Sequence, residues 1–444
     1  MGSLVTLLLF FAQGDPVPAV QNTLPLSLKR AVEIALAPQG SPRVALAEET
    51  IKQAEDRKAE AKAALLPDLE TSVTDRRQTT NLKAFGFNFN FPPGLGFSIP
   101  TIVGPFSVFD ARATASQTVL DFASIRRYQA SKVNVEAAKA DFDTTKNQVS
   151  DQVARAYLTT LRADAALETA HANVDLSQAL LGLAQRQLQA GTGTGIEVTR
   201  AQVQLADDQQ RLVVAENDRR RAGLTLMRAM GLKMDTPIEL TDKLSYRPVD
   251  IGNLPEALTD ANKMRAELKA QKDRETSARF NYSSAKAGRY PSVGANADYG
   301  SIGTELVGAQ PTYTYGLTVH VPVFNGGRVD AQRAESLSQY RQEQTRTRDL
   351  EQQVELDVRL AFDSVHSAET EVQTAQDGLR LAEQELAQAQ RRYAAGVANG
   401  IEVTDAQNRL ARARDNQIAA LYDYNVARID LATATGRIRE YVNQ

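Results

Sequence analysis

The sequence predicts a mainly α-helical fold with a small β part, laid down twice along one chain. Three observations predict it. First, Ala184-Gln185-Arg186 … Ala190-Gly191 … Gly195-Ile196-Glu197-Val198-Thr199 … Ala201-Gln202 returns 205 positions later. The copy is Ala389-Gln390-Arg391 … Ala395-Gly396 … Gly400-Ile401-Glu402-Val403-Thr404 … Ala406-Gln407, with twelve of nineteen aligned positions identical. An internal repeat defines the architectural unit, and this period is too long for a solenoid. Second, Phe122 to Ala190 and Arg328 to Ala395 contain no proline and one glycine each, Gly182 and Gly378. Third, four short segments alternate apolar and polar residues with period two, the strand signature.

Taken in order, the chain opens on an apolar run, Leu4 to Ala12, too short to span a bilayer as a helix. With the small, proline-containing stretch Ala12–Ala19 behind it, residues 1–20 read as a signal peptide, although no Lys or Arg precedes Lys29. An apolar tail is the alternative. Leu26 to Leu65 reads as helix ending before Pro67, because the residue before proline is pushed out of helical space. Gly288-Arg289-Tyr290-Pro291 ends another helix in the same way. Strands follow both prolines. Leu69, Thr71 and Val73 alternate with Glu70, Ser72 and Thr74; Phe109, Ala111, Ala113, Ala115 and Val119 alternate with Asp110, Arg112, Thr114, Ser116 and Thr118. Val293, Ala295, Ala297 and Tyr299 form one face of the third. Tyr313, Tyr315, Leu317, Val319, Val321 and Val323 form one face of the fourth. The segment 81–106, with Phe85, Phe87, Phe89 and Phe91 in period two, reads as a strand extension or surface loop.

Each strand pair is followed by one of the long helices, which at 1.5 Å per residue would reach about 100 Å. That length demands a bundle or coiled coil. Val149, Val153, Ala156 and Tyr157, and Val354, Val358, Ala361 and Phe362, recur at i, i+4, i+7, i+8, one apolar helix face. A glycine-bounded turn then leads into a returning helix, Ile196–Met230 and Ile401–Thr435. Leu254–Lys286 is a further helix, and Lys233–Gly252 a proline-containing connector. The predicted organisation is a signal segment at 1–20, a first repeat at 21–231, a connector at 232–253, a second repeat at 254–436 and a tail at 437–444.

Composition removes several functions. Formal charge is −3, from 51 Lys+Arg and 54 Asp+Glu, so nothing draws the chain to nucleic acid. There is no cysteine, which excludes disulfides, thiol catalysis and lipid attachment through cysteine. His171, His320 and His366 stand far apart, and no phosphate loop, catalytic triad or metal motif is present, so neither an enzyme nor a cofactor is expected. The strands are near the roughly 9–11 residues a tilted strand needs to cross a bilayer. A soluble half-buried sheet alternates equally well. Four strands cannot close a barrel, so if these span a membrane several chains must contribute.

The order of helix, two strands, long helix, tight turn, returning helix and connector, given twice, resembles the TolC family of outer-membrane efflux proteins. The residues carrying the resemblance are the twin turns, the strand exit Pro322-Val323-Phe324-Asn325-Gly326-Gly327-Arg328, and Pro67 and Pro291. The first strand exit, Val119-Leu120-Asp121-Phe122, departs by lacking the glycine pair. The resemblance implies a homotrimer in which three chains close a twelve-stranded barrel in the outer membrane, continued by a long α-helical barrel across the periplasm. It implies a passive exit duct, working with a periplasmic adaptor protein and an inner-membrane transporter, in drug or metal efflux or in protein secretion. Many relatives are lipidated on an N-terminal cysteine; here anchoring by the barrel alone is expected.

Gly191, Gly195, Gly396 and Gly400 read as C-cap and left-handed positions that end one helix and begin the next; the resemblance adds adaptor docking at these tips. Glu197 and Glu402 sit in a first helical turn, where the helix dipole favours an acid. Three residues on, the copies diverge, Arg200 against Asp405. The resemblance places Asp405, with Tyr393 near it, at the periplasmic constriction; the reversed charge between the copies sets Glu402 near that ring and Arg200 beside it. Tyr393 also reads as seam packing, and Arg219-Arg220-Arg221 as a solvated helix face. The rival class is a periplasmic coiled-coil scaffold with a small soluble sheet, which a detergent-free extract would release.

Overall fold

The computed structural model describes residues 23–86, 100–248 and 252–443. The elements run β1 Leu24–Leu26, α1 Leu28–Leu36, α2 Pro42–Ala63, β2 Asp68–Asn81, β3 Ile102–Leu120, α3 Phe122–Gln189, α4 Gly195–Met230, β4 Ile238–Leu240, α5 Leu254–Met264, α6 Ala266–Ala287, β5 Ser292–Gly303, β6 Gln310–His320, α7 Arg328–Ala394, α8 Gly400–Ala434 and α9 Ile438–Val442. The expected signal segment, and Phe87, Phe89 and Phe91 of the aromatic stretch, lie outside the described residues; Phe85 ends an exposed 3-10 turn.

The predicted helices and strands are present, with four differences. The helix expected over Leu26–Leu65 is a short strand and two helices. Pro38, Gly40 and Pro42 interrupt it, and Pro42 takes a first helical position, where its missing N–H costs nothing. The helix expected over Leu254–Lys286 breaks at Arg265, whose backbone is extended; no glycine or proline marks that break. Strand β2 runs to Asn81. There Asp75 pairs with Phe109 and Arg77 with Ser107 in the ladder, so backbone bonding continues after charges have erased the side-chain alternation. Strand β6 stops at His320, and Val321 and Val323 lie beyond it, ahead of and behind the donor-less Pro322.

Two compact units emerge, each drawing on both halves of the sequence. The first comprises residues 1–45, 146–261 and 357–444. Its largest buried side chains include Tyr157, Tyr424, Leu26, Leu226, Met230, Ile429 and Ile438. β1 pairs in parallel with β4, so the start of the described chain is clipped to the mid-chain connector. Tyr157 Oη donates to Leu26 O at 2.9 Å and to Asp242 Oδ2 at 2.8 Å, and Asp242 Oδ2 accepts from Leu28 N at 2.9 Å. Burial, then the Asp242 carboxylate, push the Tyr157 hydroxyl far up.

The second unit comprises residues 46–145 and 262–356. It holds an antiparallel sheet in the order β2-β3-β5-β6. The register gives two unlike faces. Leu69, Ala115, Ala297 and Tyr315 form one row of the first, with Thr71, Ala113, Tyr299 and Tyr313 as the next. Glu70, Thr114, Asp298 and Thr314, then Ser72, Arg112, Gly300 and Thr312, form rows of the second. On that face Arg112 pairs with Asp110 at 3.1 Å and Asp298 at 2.5 Å. Leu69, Val73, Tyr313, Tyr315 and Leu317 are each more than 70% exposed in the single chain, an apolar surface no soluble monomer leaves open without a partner or lipid. The helices of this unit are buried mostly through alanine, at Ala130, Ala137, Ala138, Ala140, Ala270 and Ala287.

Candidate functional site

The paired turns follow from their local sequence. Helix α3 ends with Gly191 N bonded to Leu188 O and Thr192 N to Gln187 O; α7 ends identically, Gly396 N to Tyr393 O and Val397 N to Arg392 O. Gly191 and Gly396 hold φ of 72° and 71°, the left-handed region that ends a helix most cheaply with glycine. Gly195 and Gly400 correct the reading of four left-handed glycines. They have no positive φ and begin α4 and α8, so they need no freedom that alanine lacks.

Thr194 and Asn399 are the N-caps of the returning helices. Asn399 Oδ1 accepts from Glu402 N at 3.3 Å. Glu197 does more than favour a dipole. Its Oε2 accepts from Thr194 N at 3.1 Å, closing its own helix start, and its Oε1 accepts from Gly400 N at 3.3 Å. One carboxylate therefore ties the first turn to the second. Glu402, its repeat counterpart, instead pairs with Arg392 at 3.0 Å. Asp405 pairs with Arg409 at 2.9 Å, one helical turn on, and Arg409 also meets Glu385 at 3.0 Å. Both partners of the Asp405 pair are more than half exposed, so water and salt screen it. Arg200 is exposed and makes no ion pair among the described residues.

Tyr393 is 7% exposed and packs with Leu386, Ala389, Val403, Ala406 and Leu410. Burial, and after it the Glu197 carboxylate, push its hydroxyl up. Arg219 pairs with Asp164 at 2.8 Å, while Arg220 and Arg221 are exposed. Among the described residues no cluster of three His, Cys, Asp or Glu side chains is placed to hold a metal, and no helix is long and apolar enough to cross a membrane.

A buried network went unread in the sequence. Asp208 of α4, 2% exposed, accepts from Ser177 of α3 and from Gln204 Nε2 at 3.2 Å. Gln407 of α8 donates to Ser177 Oγ at 2.6 Å. Three helices thus meet at a carboxylate enclosed by donors. The signal was available: 205 positions on, Ser177 and Asp208 correspond to Ala382 and Ala413, and Ala382 is buried in the apolar cluster that Ala413 packs against. The copies diverge from apolar to polar where they touch.

Comparison with known proteins places this arrangement. The profile of a family described as outer membrane efflux protein matches residues 34–232 and 257–437. The pyoverdine export outer membrane protein OpmQ of Pseudomonas putida is 26% identical over 416 residues, 91% of this chain and 84% of that protein. The proteases secretion protein PrtF of Dickeya chrysanthemi is 23% identical over 347 residues, 74% of this chain and 72% of that protein. Among solved structures, the outer membrane protein VceC of Vibrio cholerae superposes with a TM-score of 0.79 at 19% identity, covering 92% of this chain and 96% of that one.

Proposed function

The chain belongs to the outer membrane efflux protein family, and from that premise we propose that it forms a homotrimeric exit duct for small molecules. It is an outer-membrane channel component of an export system. The finer reading is that three copies of the four-stranded sheet close a twelve-stranded barrel, with α3–α4 and α7–α8 continuing it as a helical duct into the periplasm. The observation that carries it is the sheet. One face is apolar and open, the other polar and charged, and among the described residues β2 and β6 have no second neighbour. A membrane-spanning sheet must close on itself, and four strands cannot. Small molecules are favoured over secreted protein because the pyoverdine exporter matches over 416 residues and the protease secretion protein over 347. An inner-membrane transporter and a periplasmic adaptor complete the proposed system. Catalysis has no part in it.

The tips are assigned two roles. Gly191, Gly195, Gly396 and Gly400 present bare backbone to the adaptor. Gly195 has no atom within 4 Å of where a Cβ would stand, so a partner is free to approach. Gly195→Leu should abolish transport while leaving the trimer intact; unchanged transport would remove the tip from the docking surface. Glu402 and Asp405 are assigned to the entrance, with Glu197, Arg200 and Tyr393 beside them. Arg392 and Arg409 offset these carboxylates, so the ring is partly neutralised. In planar bilayers Asp405→Ala should raise single-channel conductance and weaken cation selectivity. Arg409→Gln should strengthen cation selectivity by freeing Asp405 and Glu385. If neither variant shifts conductance or reversal potential, these side chains do not face the conducting path.

A further inference from the structure

The four places where the sheet meets a helix share a pattern that the duct itself does not require. Each exposes a large apolar side chain, Leu66 at 50%, Phe122 at 45%, Tyr290 at 58% and Phe324 at 89%, with Val119 and Val323 adding to the second and fourth. Four residues to the helical side of each stands an exposed cation: Lys62, Arg126, Lys286 and Arg328. Phe122 and Arg126 lie within α3, so a separation of four sets them on one face. Lys62 and Lys286 lie in the last turns of α2 and α6, and the bonds Leu66 N to Ala63 O and Tyr290 N to Ala287 O carry the turn on to the apolar residue. At the fourth junction the left-handed Gly326 and Gly327 separate Phe324 from Arg328, the first residue of α7.

None of the four cations makes an ion pair among the described residues. Arg126 donates to Gln129 Oε1 at 2.8 Å, and Lys286 lies 4.8 Å from the centre of the Tyr282 ring. Exposed positive charge beside exposed apolar surface, repeated at every exit from the sheet, matches an interface carrying phosphate over hydrocarbon. Aromatic side chains favour that depth, and a cation near an anionic membrane surface gains about 1 kcal/mol. Two acids at these ends are otherwise engaged, Asp330 with Arg289 and Asp121 with Ser124 and Ala123, while Asp68 at the first is exposed and in no ion pair among the described residues.

We propose that Leu66/Lys62, Phe122/Arg126, Tyr290/Lys286 and Phe324/Arg328 form a collar that binds the phosphodiester headgroups of anionic glycerophospholipids in the leaflet on the helical side of the sheet. The inference rests on the sheet lying in a membrane. It assigns the apolar member of each pair to the acyl–glycerol boundary and the cation, four residues further toward the helix, to the phosphate.

The test titrates phosphatidylglycerol into the full-length protein in a neutral detergent, reading lipid affinity from the thermal shift. Phosphatidylcholine and inorganic phosphate are parallel titrants. Phosphatidylglycerol should stabilise the protein and the other two should not. Affinity should weaken on the order of fivefold for each cation removed in the series Lys62→Gln, Arg126→Gln, Lys286→Gln, Arg328→Gln. Lys62→Arg with Lys286→Arg should keep it. Equal stabilisation by phosphatidylcholine, or an unchanged response in the quadruple glutamine variant, overturns the collar. Equal stabilisation by inorganic phosphate makes it a simple anion site and also overturns it. Failure of the duct reading looks different: the protein would conduct nothing in planar bilayers whatever lipid it bound.

Discussion

Glu197 and Glu402 occupy the same place in the repeat and do different work. Glu197 bonds Gly400 N across the two turns, whereas Glu402 pairs with Arg392 of its own hairpin. Shared sequence set both in a first helical turn; what each meets depends on which turn lies opposite. The glycines divide the same way, which gives a test of sign. Gly191→Ala forces a side chain into φ of 72° and should destabilise the turn by about 1 kcal/mol. Gly195→Ala meets no atom and replaces glycine at a helix start, so it should stabilise by about 0.5 kcal/mol. Amide exchange across residues 188–198 measures both, and slower exchange in Gly191→Ala would refute the assigned backbone. At Asp208, alanine would leave the buried Ser177 hydroxyl without its carboxylate acceptor and take one from Gln204, while Gln407 keeps Ser177 Oγ. The cost should be about 3 kcal/mol, seen as roughly hundredfold faster exchange in neighbouring α8 amides. Ser177→Ala and Asp208→Ala copy Ala382 and Ala413 of the second hairpin, and adding Gln407→Leu removes the donor that faces them, so the triple variant should recover most of that loss. A triple variant as labile as Asp208→Ala would show that the network does not act as one unit.

Among the elements, β1 shows how little sequence a structural joint needs. Three residues pair with Ile238–Leu240, and Tyr157 of α3 fastens the join through Leu26 O and Asp242. Tyr157→Phe should cost about 1 kcal/mol, since Leu26 O keeps its bond from Thr241 N and Asp242 keeps Leu28 N. Limited proteolysis should then cut the segment 233–248 sooner. An unchanged cleavage rate would mean the join holds without the hydroxyl. The strands were legible where one face is apolar and the other polar. They were not where both faces are charged, as at Asp75-Arg76-Arg77, because pairing there is carried by backbone groups common to every sequence.

For the whole molecule, the exposed rows around Leu69, Tyr313 and Tyr315 require cover that a single chain does not supply. Protein purified in detergent should therefore sediment as a trimer with strongly helical circular dichroism. A stable monomer in detergent-free buffer would sink both the barrel and the duct and return the periplasmic scaffold. Duplication fits the trimer, since two hairpins per chain would supply six hairpins around one axis. The polar face, with Arg112 between Asp110 and Asp298, would then line the water-filled side.

The sequence by itself determined the main inventory: two helices of nearly seventy residues, the four strands of the larger sheet, paired glycine-bounded turns and family membership. Those features are local. Helix period, strand alternation, breakers and caps act within a few residues, and the repeat doubled every signal. Tertiary structure alone decided which residues meet. Nothing in the neighbourhood of Asp208 in sequence points to Gln407, nor in that of Glu197 to Gly400, because those contacts join residues about two hundred positions apart. The break at Arg265 and the run of β2 past its alternation were likewise settled by the fold, where backbone hydrogen bonds hold whatever side chain the sequence supplies.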